Sequence, residues 1–258
     1  DGFELGRGKW QIRQAFCKRR IGPWGDDKKA RLKPNAFTPA NRELLEQYAV
    51  WVADKRNQYA QAAGYLPSLL DRLDIRGDSQ GLVFSKTSFQ ADKISPRTPR
   101  AIYFNDDVAV GIVQDADVFE LAAFGALPGG VFYTLDAGRS GEPRFARPNG
   151  CLRCHQGPAT LGVPGPYVGS VSTSATGRPD VRLGTAVTDH RTPFEERWGG
   201  WYVTGTHGAL RHRGNALARD PTRGAGLVEA ANQNLTTLVR FVDPSDYLTP
   251  TSDLIALM

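Results

Sequence analysis

Cys151, Cys154 and His155 stand in the run Cys151-Leu152-Arg153-Cys154-His155, and these residue types at this spacing suit one specific piece of chemistry. Two thiols three positions apart can each add to one vinyl group of a haem, and the imidazole that follows directly can turn onto the iron. A porphyrin fixed by two thioethers does not dissociate, so such a site keeps its cofactor even in an open fold. The single motif implies one covalent haem c per chain, with His155 as proximal ligand. Two rival chemistries use the same thiols. A structural zinc site needs four ligands; the chain offers one further cysteine, Cys17, and three further histidines, His190, His207 and His212. Only His207 and His212 are closely spaced, so the zinc reading is a Cys2His2 set of Cys151, Cys154, His207 and His212. A thioredoxin-type redox pair sits at a strand-to-helix junction, whereas Gln156-Gly157-Pro158 follows here and no apolar helical period continues.

The sixth iron position decides what a haem does: an occupied one makes an electron carrier, an open one binds or transforms small molecules. His207, in the glycine-flanked run Thr204-Gly205-Thr206-His207-Gly208, ranks first as second metal ligand, ahead of His190 and His212. His212, between Arg211 and Arg213, reads as an exposed residue or a propionate partner. Met258 could ligate only if the chain end folds back; Leu254-Ile255-Ala256-Leu257-Met258 reads as an interrupted apolar helix that packs in the core. Haem propionates attract arginine, which singles out Arg147 and Arg191, with Arg153 and Arg197 beside them. Trp198 and Trp201, with Phe194 and Tyr202, are an aromatic set suited to walling a haem pocket or to forming a domain core. The paired carboxylates Asp106-Asp107 and Glu195-Glu196 read as turn and surface residues.

The elements that must position these groups follow from the apolar pattern. Residues 1–37 read as an irregular arm anchored by Trp10, Phe16 and Trp24. Thr38 is a natural N-cap and Pro39 suits the first helical position, so a helix is expected to run from there to Gly64. Residues 67–73 predict a short second helix. From residue 81 the pattern turns to strands: 82–85, then 100–104, 108–113, 118–124 and 131–135, with Asn105-Asp106-Asp107 as a hairpin turn. These predict an antiparallel meander, which buries one face and needs a cover. Further strand-like pieces lie at 167–172, 181–188 and 201–204, an exposed loop at 214–226, and a helix at about 227–241. The expected class is therefore α+β, with residues 1–80 as arm and helical segment and residues 81–258 as a β-rich haem-binding domain.

Composition bounds the function. The 258 residues are enough for a proper core, and 28 glycines with 17 prolines mean much turn and loop. No run of 18 apolar residues occurs, so no transmembrane segment is expected. The net charge of +5 is partly local: Lys18, Arg19 and Arg20, then Lys28, Lys29, Arg31 and Lys33. It reads as a solvated arm or as a docking surface for an acidic redox protein, with attraction to anionic lipid as a third reading and nucleic acid disfavoured. Cys17 reads as a small buried residue. A chain opening at Asp1, whose one methionine is Met258, reads as processed, with an export signal removed.

At the motif the chain resembles c-type cytochromes in the broad sense, but not the small all-helical ones, whose attachment motif lies near the start of a compact helical domain with a ligating methionine downstream. The run from Asp189 through Trp198-Gly199-Gly200-Trp201 to Gly208 is similar to a stretch in bacterial exported single-haem proteins of unassigned role. The resemblance covers residues 81–258 and implies haem binding rather than an activity. A sheet carrying a covalent haem is also similar in pattern to PAS-like haem sensors. The resemblance implies a periplasmic or otherwise extracytoplasmic protein, membrane-anchored in one version. The expected function is electron transfer within a redox assembly, one that is membrane-associated in the same version, with partner proteins docked on the arm. A haem enzyme or gas and redox sensor with an open sixth site is the alternative, and a structural zinc protein is the third.

Overall fold

The computed structural model describes residues 66–116, 118–124, 129–136, 144–218, 227–228 and 233–253. The expected helix at 38–64, Cys17 and Met258 lie outside the described residues. The chain groups into two compact units, Asp1–Arg76 with Phe104–Gly111 and Asp117–Pro166, and Gly77–Tyr103 with Ile112–Ala116 and Tyr167–Met258.

The fold is α+β and mostly antiparallel sheet. In chain order the helix α1 (Leu66–Leu73) precedes β1 (Gly81–Val83), β2 (Arg100–Phe104), β3 (Val108–Ile112), β4 (Val118–Phe124), β5 (Gly130–Asp136) and β6 (Phe145–Ala146). A one-turn helix α2 (Leu152–His155) follows, then β7 (Gly169–Val171), β8 (Thr185–Val187), β9 (Trp201–Tyr202), β10 (Leu217–Ala218) and β11 (Leu227–Val228). Seven strands form one sheet in the order β6-β5-β4-β3-β2-β1-β9, and β7 with β8 and β10 with β11 make two small ribbons. The expected meander is present as β2 to β5. Among the described residues no helix is long and apolar enough to cross a membrane.

In the first unit, α1 buries Leu66, Leu69, Leu70 and Leu73, the i, i+3, i+4, i+7 stripe of a core-facing helix. Eight residues are too few for a helix to persist alone in water, so those leucines, at about 1.5–3 kcal/mol each on burial, hold it. Asn105 serves two elements. Its Oδ1 accepts from the backbone N–H of Asp107 and Val108 and shapes the β2–β3 turn. Its Nδ2 donates to the carbonyls of Leu73 and Asp74, capping the end of α1. In β4 and β5, Phe119, Leu121 and Ala123 face Leu135, Tyr133 and Val131 across the ladder, and the burial of β4 alternates strictly.

In the second unit, Trp198, Trp201, Val83 and Val203 form a core cluster. Over its described residues the expected helix at 227–241 is not formed: β11 pairs with β10, and residues 233–242 run as bends, irregular chain and a turn. Asn234 has φ 54°, which no right-handed helix accommodates. The expected 181–188 strand is a short 3-10 turn at Val181–Leu183 followed by β8, and part of the expected 214–226 loop is β10.

Candidate functional site

The three motif residues sit on two consecutive turns. A 3-10 turn at Asn149–Cys151 runs directly into α2. Cys151 and Cys154 are i, i+3 neighbours, which places their Cβ atoms on one side about 5–6 Å apart. Both thiols are free of disulfide; Cys151 is half-buried and Cys154 exposed. Burial, then the charge of Glu120 and then Cys154, push the Cys151 thiol above its ordinary pKa. A thioredoxin-type nucleophile has its pKa lowered, so this environment runs against the redox-pair reading.

His155 is fixed from two sides. Its Nδ1 lies 3.0 Å from the carbonyl oxygen of Gly165. Because a carbonyl only accepts, Nδ1 carries the proton and Nε2 the lone pair. The ring also packs on Phe132, with centroids 4.4 Å apart. The loop between His155 and Gly165 closes on itself: the N–H of Gly165 donates to the His155 carbonyl at 2.9 Å, and the Thr160 hydroxyl donates to the same oxygen. The N–H of Gly130 donates to the Pro164 carbonyl and ties the loop to β5. This loop carries Leu161, 91% exposed, and Val163, 44% exposed.

Phe132 and Tyr133 are successive residues of β5 and project from opposite faces. Arg147 stacks its guanidinium over Tyr133 at 5.2 Å from the ring centroid, and Tyr133 meets Phe145 edge-on. Arg147 and His155 thus address opposite faces of the sheet. Of the residues singled out in sequence, Cys151, Cys154, His155 and Arg147 belong to the first unit, and Arg191, Trp198, Trp201 and His207 to the second.

In the second unit Arg191 is exposed and forks onto Asp189, with Nη2 2.6 Å and Nε 3.1 Å from Oδ2. That pairing holds the Asp189 carboxyl well below the usual range. His190 is exposed, and its carbonyl accepts from Arg197. Trp198 and Trp201 are buried core residues, and the Trp201 indole N–H donates to the Gly169 carbonyl at 2.8 Å. His212 is not the exposed residue its arginine neighbours suggested: it is 2% exposed, packed edge-on against Trp198 and Phe194. Its Nε2 lies 3.2 Å from Nε2 of His207, which also accepts the N–H of Asn234 at 3.1 Å. An Nε2 that accepts from a backbone amide is unprotonated, so His212 is the donor of the pair. Burial, and secondarily His207, depress the His212 pKa to about 4, keeping His212 neutral at pH 7. Among the described residues no three His, Cys, Asp or Glu side chains gather into a metal-ligating group, so the Cys2His2 zinc set gains no support.

Sequence reasoning missed Phe132, Gly165, Leu161 and Val163. Phe132 was legible only as a strand residue, and nothing in the type of Gly165 announces that its carbonyl orients a histidine ten positions earlier. No protein-family model, no curated protein and no solved structure matches the chain.

Proposed function

We propose that this protein carries one covalently attached haem c on Cys151 and Cys154, with His155 as proximal ligand, and works as an electron-transfer protein. The observation that carries the reading is the Nδ1 contact from His155 to the Gly165 carbonyl. A histidine that ligates a metal commonly donates its other ring nitrogen to a carbonyl or carboxylate, which fixes the tautomer and the ring plane. Three further features fit the group. The thiols share one side of a helical turn, Cys154 is accessible, and the loop tied back to His155 exposes Leu161 and Val163. Such apolar side chains are suited to covering a porphyrin face. Bound there, the haem supplies a one-electron iron couple. The protein's own residues anchor it through sulfur, orient the imidazole, and shield one side with Phe132 and the loop. Covalent attachment of this kind is made on the outer face of the bacterial inner membrane, which supports an extracytoplasmic location. The net charge of +5 suits acidic redox partners.

The test is expression alongside a haem-attachment system, followed by haem staining on a denaturing gel and intact mass. The expected product is coloured, with one haem per chain, and a Cys151→Ala/Cys154→Ala variant loses the stain while remaining folded. A colourless wild-type product with the mass of bare polypeptide would overturn the proposal. Carbon monoxide then separates carrier from enzyme or sensor: a reduced spectrum that the gas leaves unchanged supports the carrier, and ready binding favours an open sixth position.

A further inference from the structure

The second unit holds a cleft of about 830 Å³ whose lining includes four cationic side chains, Lys86, Arg97, Arg178 and Arg240, and, among the described residues, no carboxylate. Its apolar wall is Tyr202 and Phe241, whose rings pack with centroids 5.3 Å apart. Each feature bears on the ligand. The volume lies in the range of small-molecule sites. The ammonium of Lys86 donates to the Ala91 carbonyl at 3.0 Å. Arg97 donates to the carbonyls of Arg240 and Phe241 at 3.3 and 3.1 Å. These are neutral acceptors. They fix the side chains at the cleft without cancelling their charge. Arg178 lines the cleft and is exposed, with no side-chain partner among the described residues. The hydroxyl of Tyr202 donates to the Pro96 carbonyl at 2.7 Å, and burial raises its pKa, so the wall stays uncharged at neutral pH.

We propose that this cleft binds a small polyanion, a molecule bearing two or more phosphate or carboxylate groups. The guanidinium forks of Arg97 and Arg178 match planar oxyanions, and with Lys86 they place three positive charges around one concavity, more than a single monoanion would neutralise. A concave site of this size favours a small molecule over the surface of an acidic protein, which engages a broader and flatter patch. The proposal stands independently of the haem reading.

The test is isothermal titration calorimetry of the full-length chain with pyrophosphate and with citrate, against sodium chloride at matched ionic strength. The two probes separate a phosphate ligand from a carboxylate one. Saturable binding of at least one of them at one site per chain is expected, weakened about tenfold or more by Arg178→Gln, since a charge-assisted bond is worth at least that factor. Arg178 makes no structural side-chain bond among the described residues, so the variant is expected to keep its Tm. Arg97→Gln is the second variant and should weaken the same probe. Heats no larger than those of the salt control, or binding that neither variant alters, would overturn the proposal. So would binding of polyglutamate when both small anions fail, because the cleft would then be a protein-docking surface.

Discussion

Two histidines in this chain are placed by opposite strategies, and the difference is chemical. His155 is half-buried and directs Nδ1 at one carbonyl, which defines where its other nitrogen carries electrons. His212 is sealed behind Trp198 and Phe194 and meets only another imidazole, so its charged form is penalised. In the unfolded chain it titrates near 6.5 and in the folded one near 4. Between those values the unfolded chain takes up a proton that the folded chain refuses. The stability linked to His212 is therefore complete above about pH 6.5, falls as the pH drops toward 4, and levels off below. The loss over the window approaches about 3 kcal/mol. Urea denaturation at pH 7.5, 5.5 and 4 measures it: the wild type should lose stability through this window, and His212→Gln should lose clearly less. Equal slopes for both proteins would mean that His212 is protonated in the fold.

At the scale of elements, strands are written into the sequence far more plainly than turns. β2 and β4 were read at their observed limits, because β-branched and aromatic residues alternate there and Asn105 supplies the turn chemistry. The motif is legible through its chemistry alone; its helical turn at Leu152–His155 is not, because the glycine- and proline-rich flanks read as irregular chain. What failed was 227–241, where Leu227, Val228, Leu235, Leu238 and Phe241 imitate helical spacing. In the fold these residues answer to different partners: Leu227 and Val228 pair with β10, the Leu235 carbonyl accepts from Gly205, and Leu238 donates to Pro250. Periodicity cannot foresee such long-range substitutions for a helix. The reversal at Trp198–Trp201 is similarly hidden. Trp198 and Gly200 both have positive φ, 64° and 83°, and the Gly200 carbonyl accepts from Phe84 and Ser85. A Cβ on Gly200 would meet the Cβ of Ser85 at 2.6 Å. Gly200→Ala should therefore cost about 1–3 kcal/mol or more, from left-handed backbone and collision together. Gly150→Ala, with nothing within 4 Å of the added carbon, should stay within about 0.5 kcal/mol. Thermal melts of the two variants make the comparison, and equal Tm values would mean that the 198–201 turn is not built as described.

Across the molecule, the second unit is closed by polar side chains that join residues from both ends of the described sequence. Gln80 is fully buried. Its Nε2 donates to the carbonyls of Thr249 and Thr251 at 2.8 and 2.7 Å, and its Oε1 accepts from the Tyr103 hydroxyl at 2.7 Å. Ser252 repeats the theme one step along: its Oγ accepts from the N–H of Leu82 and donates to the Tyr202 carbonyl. Through these two side chains the segment 249–252 lies against β1 and β9 without being a strand itself: the Pro250 and Ser252 carbonyls accept from the backbone of Leu238 and Thr204, while the Thr249 and Thr251 carbonyls accept from the Gln80 side chain. Gln80→Leu keeps most of the volume but takes one hydrogen bond from each of the Thr249 and Thr251 carbonyls and from the Tyr103 phenol. Unsatisfied buried groups cost about 1–3 kcal/mol each. With partial relaxation the variant should lose about 3 kcal/mol or more, seen as a lower urea midpoint at unchanged slope. Tyr103→Phe removes one donor only and should cost about 1 kcal/mol. In the double variant the phenol is already gone when Gln80 is replaced, so the combined loss should fall short of the sum of the single losses. Strict additivity would show that the two side chains do not meet, and that the 249–252 segment is held by something other than Gln80.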